Sequence, residues 1–150
     1  TVAFSHEGGG AYAVWARDVD GKRRGLVVNG TGDTEGVWPL DFAGKVAGLD
    51  VEADGAWTVA IRPLGPTPEL SGGASGDESA VLYVGGSAVA LRATVSHRGD
   101  GNVVVTAYDE RGLRDLLVND IGQYVGDVVV PAGTVAVAVH ANGPWAVRTR

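Results

Sequence analysis

The chain repeats itself. Ser5-His6-Glu7-Gly8-Gly9-Gly10 returns as Ser96-His97-Arg98-Gly99-Asp100-Gly101, and Val14, Ala16, Asp18 and Gly21 fall on Val105, Ala107, Asp109 and Gly112. After a one-residue deletion, Leu26, Val28, Asn29, Gly32 and Gly36 fall on Leu116, Val118, Asn119, Gly122 and Gly126. Further on, Val51, Ala53, Gly55, Trp57 and Val59 fall on Val139, Ala141, Gly143, Trp145 and Val147. Apolar, turn and aromatic positions stay in register together. Whatever one copy builds, the other must build as well, and each has only about 65 to 75 residues in which to bury a core.

Within each copy the apolar residues recur with period two. Tyr12, Val14 and Ala16 alternate with Ala11, Ala13 and Trp15; Val103, Val105 and Ala107 alternate with Asn102, Val104 and Thr106; Val135, Val137 and Val139 alternate with Thr134, Ala136 and Ala138. That spacing places one set on each face of a strand. Asp20-Gly21, Asn29-Gly30, Asp54-Gly55, Arg111-Gly112 and Asn142-Gly143 punctuate the runs with residues that tolerate the backbone of tight turns. The nearest approach to a helical stripe, Glu110 to Val118, is interrupted by Gly112. The expected fold is therefore all-β: two homologous antiparallel β-sandwich, jelly-roll-like repeats in a pseudo-symmetric arrangement. Residues 1–65 form the first repeat and residues 80–150 the second. Residues 66–79, rich in Pro, Gly, Ser, Asp and Glu, read as a surface linker. Ala80–Gly85 and Ala88–Val95 read as strands leading into the second copy, with no counterpart ahead of the first. An edge strand of the first unit is thus expected to be missing, or supplied from the linker.

Composition narrows the class of protein. With 45% hydrophobic and 20% charged residues, the 150-residue chain has the material for a core and falls outside the disordered class. The net charge is −6 and the 12 Lys and Arg are scattered, which argues against nucleic acid as a partner. No Cys is present, which removes disulfides and thiolate metal sites. No apolar run approaches the roughly 20 residues of a membrane-spanning helix. The lack of Met, position 1 included, and of a signal pattern at Thr1 is expected of a processed chain, extracellular or in the cell envelope, whose signal peptide has been removed.

The second copy carries His-x-Gly-x-x-Asn at His97–Asn102, Leu-Leu-Val-Asn at Leu116–Asn119, Gly-x-Tyr-x-Gly at Gly122–Gly126 and Val-x-Ala-x-Gly-x-Trp at Val139–Trp145. This pattern resembles repeats in poorly characterised exported proteins of actinobacteria. The first copy departs from it at Ala11, where the pattern has Asn, and at Thr34, where it has Tyr. The resemblance implies a β-sandwich and export, and it implies no catalytic residue.

The side chains with chemical potential mostly have structural explanations. His6 and His97 occupy matching positions and are expected to hydrogen-bond the Gly-rich turn that follows each. Ser5 and Ser96 sit beside them, but neighbours on a strand face opposite ways, so no hydroxyl-to-imidazole contact is expected. Asp18-Val19-Asp20-Gly21 starts like a calcium loop, yet its later acidic ligand is absent and Arg111 replaces Asp20 in the second copy, so a hairpin turn without metal is expected. Asn29 and Asn119 are expected to satisfy buried loop amides. Trp57 and Trp145 are expected to anchor the two cores. Trp15 and Tyr108 lie off the common core face, one aromatic per copy, and are the expected binding positions on the outer sheet. With no cofactor motif and no credible nucleophile, neither an enzyme nor a cofactor is expected. The expectation is an exported, non-catalytic binding or envelope-associated structural module whose partner is a protein or a glycan. The alternative is a carbohydrate-binding sandwich that uses its exposed aromatics.

Overall fold

A computed structural model describes residues 1–40, 46–65, 68–112 and 114–150. It is all-β, and the chain divides into two compact units, Thr1–Pro63 and Leu64–Arg150. The first unit contains β1 (Val2–Glu7), β2 (Ala11–Arg17), β3 (Arg23–Thr31), β4 (Thr34–Trp38), β5 (Gly48–Ala53) and β6 (Ala56–Ile61). The second contains β7 (Ala74–Gly76), β8 (Ala80–Tyr83), β9 (Leu91–His97), β10 (Asn102–Asp109), β11 (Arg114–Ile121), β12 (Tyr124–Val130), β13 (Thr134–Ala141) and β14 (Trp145–Thr149). Among the described residues no helix is long and apolar enough to cross a membrane.

The duplication seen in the sequence is a duplication of topology. In the first unit the sheets are β4-β1-β6 and β3-β2-β5; in the second they are β12-β9-β14-β7 and β11-β10-β13-β8, all antiparallel. Removing β7 and β8 leaves the same strand order in both. Registers agree too: His6 pairs Thr34 on one side and Trp57 on the other, as His97 pairs Tyr124 and Trp145. The three consecutive apolar residues Leu26-Val27-Val28 and Leu116-Leu117-Val118 break the alternation for one reason. The ladder slips at Val14/Trp15 and again at Val105/Thr106, so each copy bulges at the middle residue. The bulge turns Val27 and Leu117 onto their cores.

Each sandwich closes over the inward residues of both its sheets. In the first unit these are Val2, Phe4 and Trp38 from one sheet and Tyr12, Val14 and Val28 from the other. Phe4 lies 5.5 Å from Tyr12 and 6.3 Å from Trp38, ring centre to ring centre. The second core is mainly aliphatic, with Val95, Val103, Val105, Val137 and Val139 at its centre and Trp145 at its rim. Each such side chain buried contributes about 1.5–3 kcal/mol. The aromatic positions are exchanged between the copies. A Cβ on Gly30 of β3 would collide with the Tyr12 hydroxyl, whereas in the second unit Gly126 of β12 gives way to Tyr124. The departures of the first copy from the repeat pattern therefore mark a second way of filling the same space.

The stretch read as a linker is built into the second unit. Leu70 is buried in its core at 5% exposure, Glu69 bridges Tyr83, and Ala74–Gly76 forms β7 against β14. Two apolar residues, Leu70 and Ala74, among turn-formers dock on the core a segment whose other residues stay mostly exposed, as its composition reads. Residues 66 and 67 lie outside the described residues.

Two expectations about side chains are corrected. Asn29 and Asn119 are exposed: they lie on strands β3 and β11, opposite Ala13 and Val104, so no buried loop amide depends on them. Trp57 is 45% exposed while Trp145 is 4% exposed, although both pair with the repeat histidine. The difference is β7. It lies beside β14 with Gly76 opposite Trp145, and the Trp145 Nε1–H donates to the Glu78 carbonyl at 2.8 Å. Trp57 has no such strand beside it among the described residues.

Trp145→Ala should therefore lower stability by about 3–5 kcal/mol as a core truncation. Asn29→Ala and Asn119→Ala should each stay within about 0.5 kcal/mol of the parent, as exposed strand substitutions do. Urea midpoints of the three variants check both statements.

Candidate functional site

The two histidines lie at corresponding ends of their sandwiches, each only 1% exposed. His6 Nδ1 is 2.8 Å from the Gly32 carbonyl oxygen and Nε2 is 3.2 Å from that of Asp54. His97 repeats this with Gly122 at 2.7 Å and Asn142 at 3.1 Å. Giving the single proton of a neutral ring to Nδ1 fills the shorter contact in both copies. The ring thus ties the β3–β4 and β5–β6 turns together, or β11–β12 and β13–β14, and does not bond the turn that follows it in sequence. The Gly-rich turn has another task. Gly8 and Gly99 bring their backbone close under the ring, where a Cβ would meet the Asp54 or Asn142 carbonyl. Carbonyl oxygens only accept, so a ring with one proton donates to the first carbonyl and lies against the second, and burial at 1% exposure keeps both nitrogens away from solvent.

The acidic turn is also a structural device. Asp18 is buried, and its Oδ1 accepts the Asp20 and Lys22 amides at 3.0 and 2.9 Å while Oδ2 meets Arg24 Nε at 2.7 Å. The Lys22 amide foremost, with the Arg24 charge and the Asp20 amide, holds its carboxyl below the usual 3.8, against the opposing effect of burial. Asp109 closes the second copy's turn by accepting the Arg111 amide at 2.8 Å. Among the described residues, no group of three or more His, Asp or Glu side chains is gathered to hold a metal ion.

The two expected binding aromatics differ in environment. Trp15 is half-buried on the outer face of β2, opposite Asp50, and the Arg23 guanidinium lies 5.2 Å from its ring centre. Arg23 also pairs with Asp50 at 3.0 Å and with Glu52, and Arg17 reaches Asp50 at 3.1 Å. A guanidinium held by two carboxylates thus covers an indole whose own Nε1 is buried with no acceptor among the described residues. Tyr108 is not exposed: at 9% it sits inside a four-stranded sheet between Arg114 and Ala136. His140, which the strand alternation places toward solvent, is half-buried, and burial pushes its imidazole below its ordinary 6.5.

The surface that the repeat comparison singles out is the free edge of β6. Trp57, Val59 and Ile61 share one face of this strand, opposite His6, Phe4 and Val2 of β1. Their counterparts Trp145 and Val147 are buried, whereas Trp57 and Ile61 are exposed at 45% and 60%. β5, the corresponding edge of the facing sheet, pairs only with β2, while its counterpart β13 is covered by β8. Leu49, Val51 and Ala53 of β5 are partly buried against the core. Among the described residues the first sandwich therefore has no strand beyond β6 and β5, where the second has β7 and β8. Repeat equivalence with Trp145 made Trp57 a core anchor, and at 45% exposure it is not one. What the equivalence could not reveal is that the strand carrying Trp57 is the last in its sheet.

His97→Ala should destabilise the protein by about 2–4 kcal/mol, because the Gly122 carbonyl loses its donor and a void replaces the ring. Thermal melts of His6→Ala and His97→Ala should shift alike. Since the folded Asp18 carboxyl titrates below its unfolded value, its contribution is complete above about pH 5 and is lost as pH falls through the folded value. Asp18→Asn should flatten the stability profile between about pH 5 and pH 2, as measured by urea unfolding in that range. Compared with models of known protein families and with curated proteins, the chain matches none.

Proposed function

We propose that this chain is a non-catalytic binding module of an exported, envelope-associated protein. The single observation that carries the reading is Trp57, 45% exposed on a free strand edge where the second copy buries its counterpart to 4%. Large aromatic side chains left partly in water on a flat edge are typical anchors for a partner. The chemistry of the remaining polar groups fits the reading, since His6, His97 and Asp18 are occupied by backbone partners. The export part rests on the resemblance of the repeat pattern.

A second reading is favoured by the ring of Arg17, Arg23, Asp50 and Glu52 around Trp15. Polar side chains flanking an indole are what a saccharide requires, although here Arg23 occupies the position over the ring that a sugar would take.

Arrays of glycans and of extended peptides, probed with the parent chain and with Trp57→Ala and Trp15→Ala, test both. The expected result is a ligand whose binding falls about tenfold or more in Trp57→Ala while the melting temperature stays within a few degrees. A ligand lost only in Trp15→Ala would replace the first reading by the second. Turnover of any substrate would end both.

A further inference from the structure

We propose that the free edge of β6 takes up an extended polypeptide strand that sets a glycine or alanine against Trp57, as β7 does against Trp145. The inference rests on the binding-module reading and gives its partner a chemical class. The second unit supplies the template. There Trp145 pairs Gly76, Ala146 pairs Ser75 and Val147 pairs Ala74, antiparallel. Opposite the indole a side chain is crowded, since a Cβ on Gly76 would come within 3.1 Å of the Trp145 ring and the ring would have to give by a few tenths of an ångström. Two residues on, the Glu78 carbonyl accepts the indole N–H at 2.8 Å, and the chain then turns into β8, whose Leu82 enters the core.

The first unit holds the strand edge of this arrangement. Trp57 occupies the Trp145 position, pairs the repeat histidine in the same register, and is followed by Val59 in the place of Val147. β5, in the other sheet, pairs only β2 among the described residues, where its counterpart β13 also pairs β8. A sheet edge presents unpaired backbone donors and acceptors, and addition of a strand satisfies them while side-chain pockets choose the sequence. The matching partner is thus a segment of the Ala-Ser-Gly type, with a carbonyl two residues after the glycine. This chain's own residues 68–84 are the available example.

A fluorescent synthetic peptide with the sequence of residues 68–84 is titrated into the full chain and read by anisotropy, with amide hydrogen exchange followed in parallel. Saturable binding is expected. It should weaken about tenfold or more with Gly76→Val in the peptide or Trp57→Ala in the chain. Exchange of the Ala56–Ile61 amides should slow when the peptide is bound. Three results would overturn the proposal: no saturable binding, unchanged exchange in β6, or binding indifferent to Trp57→Ala, as displacement of β7 from β14 would give. Sedimentation showing concentration-dependent self-association that Trp57→Ala abolishes would assign the edge to a second copy, and overturn it too. If the peptide fails but another array ligand still binds through Trp57, only strand addition falls and the binding-module reading stands.

Discussion

Each sandwich is organised by one buried imidazole at its end. A two-sheet sandwich must turn the chain several times at the same end, and every turn leaves backbone carbonyls that cannot all reach a strand partner. His6 and His97 each lie against two of these and donate to one, and Gly8 with Gly55, or Gly99 with Gly143, let the turns approach closely enough to pack around one ring. The requirement is geometric and local. It explains why Ser-His and the Gly-rich turn are preserved between two copies whose cores have otherwise diverged.

That divergence is compensated within each core. The first copy fills its interior with Phe4, Tyr12 and Trp38, where the second uses valines and brings in Leu70 from the segment before β7 and Leu82 from β8. Bulk has moved from one wall of the sandwich to another. The swap of Tyr12 against Gly30 for Tyr124 against Gly126 shows the same principle on the scale of one ring, since cores tolerate exchanges that conserve volume and patterning. The first unit thereby keeps a packed centre without the strands that complete the second, and its edges are left free.

The strands, the turns and the equivalence of the copies were legible in the sequence because they depend on period-two alternation and on turn residues, which are local signals. The buried places of Val14, Val105 and Trp145 followed directly. What escaped depends on neighbours that are remote in sequence. Trp57 and Trp145 share a local pattern and differ only in whether another strand lies alongside. Asn29 and Asn119 resemble loop residues until the neighbouring ladder shows them on strands. Tyr108 is buried at an inner strand of a four-stranded sheet, between Arg114 and Ala136, and residues 68–76 are structured because a few apolar residues find a core. Of the candidate site, the sequence held the clue in a single fact, that strands lead into the second copy with no equivalent for the first.

In both units the chain begins beside its own end. Val2 pairs Ile61 across β1 and β6, and Gly76 pairs Trp145 across β7 and β14. Contacts of such long sequence separation make the closure of each sandwich the slow step, since the loop entropy must be met before the pairing repays it. The second unit therefore leaves β7 without a sheet until residues 145–149 are present, so its first and last strands depend on each other for their place.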